Sequence, residues 1–320
     1  MKQRSVFLSD GTDSLELAPI LSIEGLSFGE QEYSSSAGYL QDGVLFGPGR
    51  YLPRTVTLQF DVLAGRVDEE GAFTSPEEAC RSFLSRLARL IGKREGGSPV
   101  GRSAQELQLE IRERDTLTGS VSRYYLSPCR VLGCPGDPQW QGKAIRTVTL
   151  QLTAGDPYIK KEVRPQVLSQ EDERKIYQND YLWYADDQLV LSQNRLEVTV
   201  LNGGDADTPM EIRFYGPAVQ PYVLNQNTGE KIGVNQTLAS GEYMDINTAY
   251  GKKSITITTR DQETGQTVTH NAFHYIQQGC VFPMLHPGEN RLKYGSGQEG
   301  GSLSAGVEIR YDERYLSLPY

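Results

Sequence analysis

Three histidines, His270, His274 and His286, are the side chains best suited to bind a transition metal. His270 and His274 are four residues apart, a spacing that places two ligands on one face of a helix. The residues around them, from Val268 to Tyr275, favour a strand and a loop instead. Along a strand, residues four apart are separated by about 13 Å, which is too far for one ion. We therefore predict neither a metal site nor a cofactor.

Three further patterns that could support catalysis or phosphate binding are incomplete. Gly295-Ser296-Gly297 is a Gly-Ser loop and lacks the Gly-x-Ser-x-Gly setting of an activated nucleophile. Acidic pairs such as Asp186-Asp187 are expected by chance among 41 acidic residues. Gly47-Pro48-Gly49 is not followed by the Gly-Lys-Ser of a phosphate-binding loop. We predict no catalytic residue and a protein that is not an enzyme.

Aromatic residues remain chemically ambiguous, because Tyr and Trp stack on sugars and also occupy protein interfaces. Two segments, a long loop at 33–54 and an aromatic run at 181–184, carry more hydrophobic surface than a free loop should. We interpret them as subunit contacts, and sugar binding stays open as the alternative. The predicted interface residues are Phe46, Tyr51, Leu52, Tyr181, Trp183 and Tyr184.

The charge balance, 32 Lys and Arg against 41 Asp and Glu, gives a formal net charge of -9. Nucleic-acid binders usually carry a basic patch, and no basic run here exceeds a pair such as Lys160-Lys161. We therefore predict no specific nucleic-acid binding and no membrane binding. The apolar stretch near the start has three residues, too short for a signal peptide, so we expect a soluble chain made in a cytoplasm. The four cysteines are then expected to be free thiols, although Cys129 and Cys134 could meet across a turn.

Period-two patterns predict strands through most of the chain. Residues 55–63 place Val56 and Leu58 on one face, with Asp61 a further candidate for that face. One helix is predicted from about Pro76 to Ile91, with a proline at its first position and an apolar stripe at helical spacing. From Leu196 onward the pattern is strand and turn.

The length of 320 residues indicates two domains. We predict a mainly β protein in which residues 1–158 form a β-barrel or β-sandwich with one docked α-helix. Residues 196–320 form a second β-sandwich. Residues 159–195 are a linker or extension between them.

Several stretches, in this order, resemble the distal tail protein family of siphophages and phage-tail-like particles. None is specific alone, but their order extends over nearly the whole chain. They are Asp42-Gly43, Arg54-Thr55-Val56, the helix, Leu150 to Tyr158, Asn202 to Pro209, Ile212 to Pro217, Val223 to Asn225, Ser240-Gly241-Glu242, Leu285 to Asn290, Ile309-Arg310-Tyr311 and Arg314-Tyr315-Leu316.

The resemblance implies a structural virion protein at the distal end of the tail, assembled in the host bacterial cytoplasm. It implies a homo-hexameric ring, built on the first domain, that joins the tail tube protein to the tail-tip hub around the DNA channel. It also implies a galectin-like second domain that points outward and can hold receptor-binding or adhesion proteins. The alternative function is a carbohydrate-binding module that recognises host cell-wall sugars.

Overall fold

The computed structural model describes residues 2–17, 19–37, 42–63, 76–92, 107–133, 139–141, 145–163, 165–169, 197–260, 267–295 and 306–318. It divides into two compact units. The first consists of Met1–Lys161 with Tyr315–Tyr320, and the second of Glu162–Arg314. The end of the chain therefore groups with the first unit, whereas the sequence analysis placed it in the second.

The first unit is mostly antiparallel β-sheet. Its elements are β1 (Lys2–Ser9), β2 (Ser14–Glu16), β3 (Ile20–Glu24), β4 (Gln31–Ser36), β5 (Leu45–Tyr51), β6 (Arg54–Leu63), α1 (Pro76–Gly92), β7 (Leu107–Asp115), β8 (Val121–Gly133), β9 (Gln139–Gln141), β10 (Ile145–Ala154) and β11 (Ile159–Glu162).

The main sheet of this unit runs in the order β2-β1-β7-β8-β10-β6-β3. The amide of Leu17 donates to the carbonyl oxygen of Val6 in β1, and the amide of Asp61 in β6 donates to that of Pro19. The connection between β2 and β3 therefore links the two ends of the sheet. The apolar faces of β1, β6, β7, β8 and β10 supply most of the core.

The predicted helix is confirmed as α1. Leu87 and Leu90 are buried, whereas Arg86 and Arg89 are exposed, as the apolar stripe requires. The ring of Phe83 packs edge-on against Phe60 of β6, with centroids 5.9 Å apart.

Strand β6 corrects one detail of the sequence analysis. Phe60 lies on the core face with Val56 and Leu58 and has no exposed surface, so Asp61 is on the opposite face. Asp61 is nevertheless buried, and the hydroxyl of Thr147 on β10 offsets part of the cost by donating a 2.6 Å hydrogen bond to its carboxylate.

The second unit is a sandwich of two antiparallel sheets around a separate core. One sheet has the order β12-β24-β14-β19-β20-β21, with β22 beside β14, and the other β13-β23-β16-β17; β15 pairs with β18. The bounds are β12 (Gln166–Ser169), β13 (Glu197–Asn202), β14 (Thr208–Tyr215), β15 (Ala218–Val219), β16 (Tyr222–Asn225), β17 (Lys231–Gly233), β18 (Thr237–Leu238), β19 (Tyr243–Asn247), β20 (Ser254–Arg260), β21 (Thr267–Asn271), a 3₁₀ turn (Phe273–Tyr275), β22 (Met284–Leu285), β23 (Gly288–Gly295) and β24 (Gly306–Tyr315).

The mainly β fold class is thus confirmed, with α1 docked on the first unit and a sandwich in the second. Its galectin-like character stays a prediction. So do the predicted boundaries at 158 and 196, because most of the 159–195 segment lies outside the described residues.

Candidate subunit interface

The predicted loop at 33–54 is a β-hairpin, so its assignment as a loop was wrong. Strands β4 and β5 pair from Gln31 opposite Tyr51 to Ser36 opposite Leu45. They form a separate two-stranded sheet, and every described side chain in 31–37 and 42–50 is exposed. Since neither face of the hairpin is buried, its sequence has no alternation of apolar and polar residues that could mark it as strand.

An apolar cluster lies on the hairpin towards its turn. Phe46 is 76% exposed, and its ring meets that of Tyr33 edge-on at 6.1 Å between centroids. Leu45, the neighbouring residue of β5, is 70% exposed on the opposite face of the strand, and Val44 is 51% exposed. Contiguous apolar side chains on an exposed segment are typical of protein-protein contact surfaces.

Tyr51 and Leu52, which were predicted to belong to the same surface, lie at the root of the hairpin instead. Both are half-buried. The ring of Tyr51 packs edge-on against Tyr158 at 5.8 Å, and the amide of Leu52 donates a 2.9 Å hydrogen bond to the carbonyl oxygen of Glu30. These contacts hold the hairpin in place, so Tyr51 and Leu52 offer less surface to a partner than Phe46 does.

The remaining predicted interface residues, Tyr181, Trp183 and Tyr184, lie outside the described residues. The sequence analysis also missed Tyr33, Val44 and Leu45 as individual members of the hairpin surface. The apolar run Val44-Leu45-Phe46, placed between glycines, was the signal that could have identified two of them.

In the second unit, three aromatic rings are partly covered by cations. The guanidinium of Arg213 lies 4.5 Å from the ring centroid of Tyr243. The ammonium of Lys231 lies 4.0 Å from that of Tyr222. Lys253 lies 5.1 Å from Phe282, whose ring also stacks on Phe273 at 5.7 Å. Sugar binding needs accessible ring faces, so these three rings are poor candidates for it, whereas Tyr250 in the same unit is 95% exposed.

The outward face of β14, β19 and β24 carries a hydrogen-bonded polar network. Arg213 donates two hydrogen bonds to the carboxylate of Asp245, at 2.6 and 3.0 Å, which raises the pKa of the guanidinium. Glu308, which is buried, accepts bonds of 2.7 Å from both the hydroxyl of Tyr215 and the guanidinium of Arg310. Burial raises the pKa of the Tyr215 hydroxyl, and its hydrogen bond to Glu308 raises it further. These charged and polar side chains are hydrogen-bonded to one another, and the network stabilises the sheet.

The histidines do not come together. His270 is exposed on β21, the ring of His274 lies 3.9 Å from that of Tyr275, and Nδ1 of His286 lies 2.7 Å from the carboxylate of Asp207. Within the described ranges, no group of three or more His, Cys, Asp or Glu side chains could hold a metal ion. Across the same ranges, no helix is long and apolar enough to span a membrane.

Buried asparagines explain several of the stretches that carry the family resemblance. The side chain of Asn290 closes the turn before β23 by donating to the carbonyl oxygens of His286, at 2.7 Å, and Gly288, at 3.1 Å. Asn202 donates to the carbonyl oxygens of Ala206 and Leu285, at 3.1 and 3.0 Å. Because Asn290 closes a turn and Asn202 joins two segments of backbone, these motif residues support the fold.

The fold and its surface define a class: a two-unit, mostly β protein that presents an apolar hairpin from its first unit. Residues 203–315 match the family model of the siphovirus-type tail component, C-terminal domain. No curated protein sequence matches the chain.

Chains in solved phage structures have a similar fold. The SPP1 Dit protein, described as a paradigm of the hub adsorption apparatus in phages that infect Gram-positive bacteria, matches with 14% identity and a TM-score of 0.57, covering 98% of this chain and 99% of its own. Chains of the phage P2 baseplate in its activated conformation match with 10% identity, covering 99% of this chain and 100% of theirs. Their TM-scores are 0.51 with calcium and 0.53 with strontium. The resemblance seen in the sequence is thus confirmed: the chain has the fold of the SPP1 Dit protein, and residues 203–315 match the tail-component model.

Proposed function

We propose that this chain is a structural protein of the distal phage tail that forms a hexameric ring between the tail tube and the tail tip. The observation that carries the proposal is the likeness to the SPP1 Dit protein over 98% of this chain, together with the tail-component match at 203–315. The ring would surround the channel through which DNA leaves. Its partners would be the tail tube protein, the tail-tip hub and receptor-binding or adhesion proteins.

The exposed hairpin supports ring formation. A closed ring of identical subunits needs a heterologous contact, in which one patch of each subunit meets a different patch of the next. The Tyr33–Phe46 cluster is such a patch, because it is apolar and exposed within the chain. We propose that it is covered by a neighbouring copy in the ring.

The net charge of -9 agrees with a channel protein that must let DNA pass without retaining it. A role in the tail also agrees with assembly in the host bacterial cytoplasm and a final location in the virion. The rings covered by Arg213, Lys231 and Lys253 do not favour sugar binding as the main function.

The test of the proposal is the state of assembly of the purified protein. Mass photometry over a range of concentrations should show a species of six times the 35.6 kDa of one chain. A chain that remains monomeric at the highest concentrations, with or without tail tube protein, would contradict the proposal.

A further inference from the structure

We propose that Arg54 and residues Tyr315–Leu318 form a clamp that fixes the direction of the exposed hairpin. All of the groups involved belong to the first unit. Three stretches singled out in the sequence, around Arg54, Tyr158 and Leu316, meet at this clamp.

The guanidinium of Arg54 is the centre of the clamp. The residue is only 4% exposed, and its donors reach four backbone carbonyl oxygens. Nε donates to Pro157 at 2.7 Å, Nη1 donates to Gly25 at 2.9 Å and to Ser27 at 2.5 Å, and Nη2 donates to Leu316 at 2.7 Å. Five donors in one rigid plane make arginine suited to join several backbone segments at once.

Both ends of the hairpin lead directly to this guanidinium. Strand β4 is entered from the 25–30 segment, of which Arg54 holds two carbonyl groups. Strand β5 leaves through Tyr51 and Leu52 to Arg54 itself. Gly25 lies so close to β6, at a φ of +91°, that a Cβ there would overlap the carbonyl oxygen of Thr55. The 25–30 segment is therefore packed tightly against β6, the strand that contains Arg54.

The chain end closes the clamp from the other side. The amide of Leu318 donates a 3.0 Å hydrogen bond to the carbonyl oxygen of Leu26, in the same entry segment. Leu318 is 2% exposed within the first core, against which Leu26 also packs. The 25–30 segment is thus held at Gly25 and Ser27 by Arg54 and at Leu26 by the chain end.

The hairpin needs such an anchor because its own faces do not fix it. Its described side chains are exposed up to Arg50, and its strands pair with each other alone among the described strands. An isolated two-stranded hairpin is only marginally stable in water. Contacts at the base of the hairpin, where Arg54 lies, must therefore fix its direction and limit its motion.

Hydrogen-deuterium exchange with mass spectrometry tests the clamp, using Arg54→Lys well below its melting temperature. A lysine has one donor group and cannot reach four separated carbonyls. We expect exchange in 25–30, 31–51 and 315–318 to accelerate on the order of tenfold or more, as for the loss of one or two hydrogen bonds to a charged group. Exchange in β7 and β8 should stay at the wild-type rate.

A matched control is Arg123→Lys, which alters an arginine of the same unit that is 61% exposed and should change none of these rates. If Arg54→Lys unfolds the unit, Leu318→Ala serves instead, since it loosens the chain end and keeps the guanidinium. Unchanged exchange in 31–51 in the variant that stays folded overturns the clamp. So does a uniform acceleration that includes β7 and β8 in Leu318→Ala.

The consequence for assembly rests on the proposed function: loosening the hairpin should weaken the ring. The two ideas can fail separately. Faster exchange in 31–51 with unchanged mass-photometry assembly supports the clamp and contradicts a role of the hairpin in the ring. Unchanged exchange contradicts the clamp whether or not a ring forms.

Discussion

Cys129 is a buried thiol between β7 and β10, with 1% of its surface exposed. Burial raises its pKa from 9.0 to about 11. Because the folded pKa lies above the unfolded one, the thiol stabilises the fold fully below pH 9. That contribution is lost as the pH rises through 9 towards 11.

The prediction is a steeper alkaline loss of stability in the wild type than in Cys129→Ala. Between pH 8 and 10.5 the free energy of unfolding should fall by about 2 kcal/mol more in the wild type, since one pKa unit corresponds to about 1.4 kcal/mol. Urea denaturation at several pH values measures this difference. Parallel profiles for the two proteins would show that the thiol does not titrate with folding.

Tyr294 has a buried hydroxyl for which the described residues offer no hydrogen-bond partner, and desolvation raises its pKa to about 12. An unpaired buried hydroxyl costs about 1–3 kcal/mol. Tyr294→Phe should therefore leave the free energy of unfolding unchanged or raise it.

Tyr311→Phe is the matched control for that substitution. The hydroxyl of Tyr311 donates a 3.1 Å hydrogen bond to the carbonyl oxygen of Leu201, so its removal should cost about 1 kcal/mol. Urea denaturation of Tyr294→Phe and Tyr311→Phe measures the free energy of unfolding that each hydroxyl contributes. An equal loss in the two would mean that the Tyr294 hydroxyl is bonded in solution.

The environments of some single residues could be predicted from the sequence, and those of others could not. The exposure of Phe46 could be predicted because it lies in a short apolar run between glycines, within a long connection. The position of Tyr51 could not, because its burial depends on contact with Tyr158, which is remote in sequence. The four acceptors of Arg54 are backbone carbonyls, and these leave no signature in side-chain composition.

At the scale of elements, the helix and the hairpin differ in how strongly their sequences specify them. Helix α1 buries one face, and its period of 3.6 predicted its span to within one residue. The hairpin buries neither face, so the same method missed both of its strands. A strand pair that is exposed on both faces has no burial pattern from which its strands could be predicted.

The hairpin surface makes a prediction of its own. Replacing Leu45 and Phe46 by serine removes most of its apolar area while leaving the root contacts of Tyr51 intact. If this surface lies in the ring, the double variant should assemble at least about tenfold more weakly, because each buried apolar side chain contributes roughly 1.5–3 kcal/mol. Mass photometry across a concentration series measures the shift.

Leu117→Ser is the control for the hairpin variant, since Leu117 is 87% exposed in the same unit but lies outside the hairpin. Its assembly should equal that of the wild type. If the wild type, the hairpin double variant and Leu117→Ser assemble equally, the hairpin does not belong to the interface.

At the scale of the whole molecule, the sequence predicted two β-rich halves, and the order of many weak motifs carried the family resemblance. The sequence pattern did not indicate that Tyr315–Tyr320 group with the first unit. Leu316 to Leu318 follow β24 directly, yet Leu318 lies in the first core. Only the tertiary contact of Leu318 with Leu26 shows which unit these residues complete.

The central claim is that this chain joins a tail tube to a tail tip as a ring. The most direct measurement is negative-stain electron microscopy of the chain mixed with its tail tube protein, alongside mass photometry of the chain alone. The account predicts six-fold rings that cap one end of the tube. A monomer that leaves the tube ends bare at every concentration would contradict it.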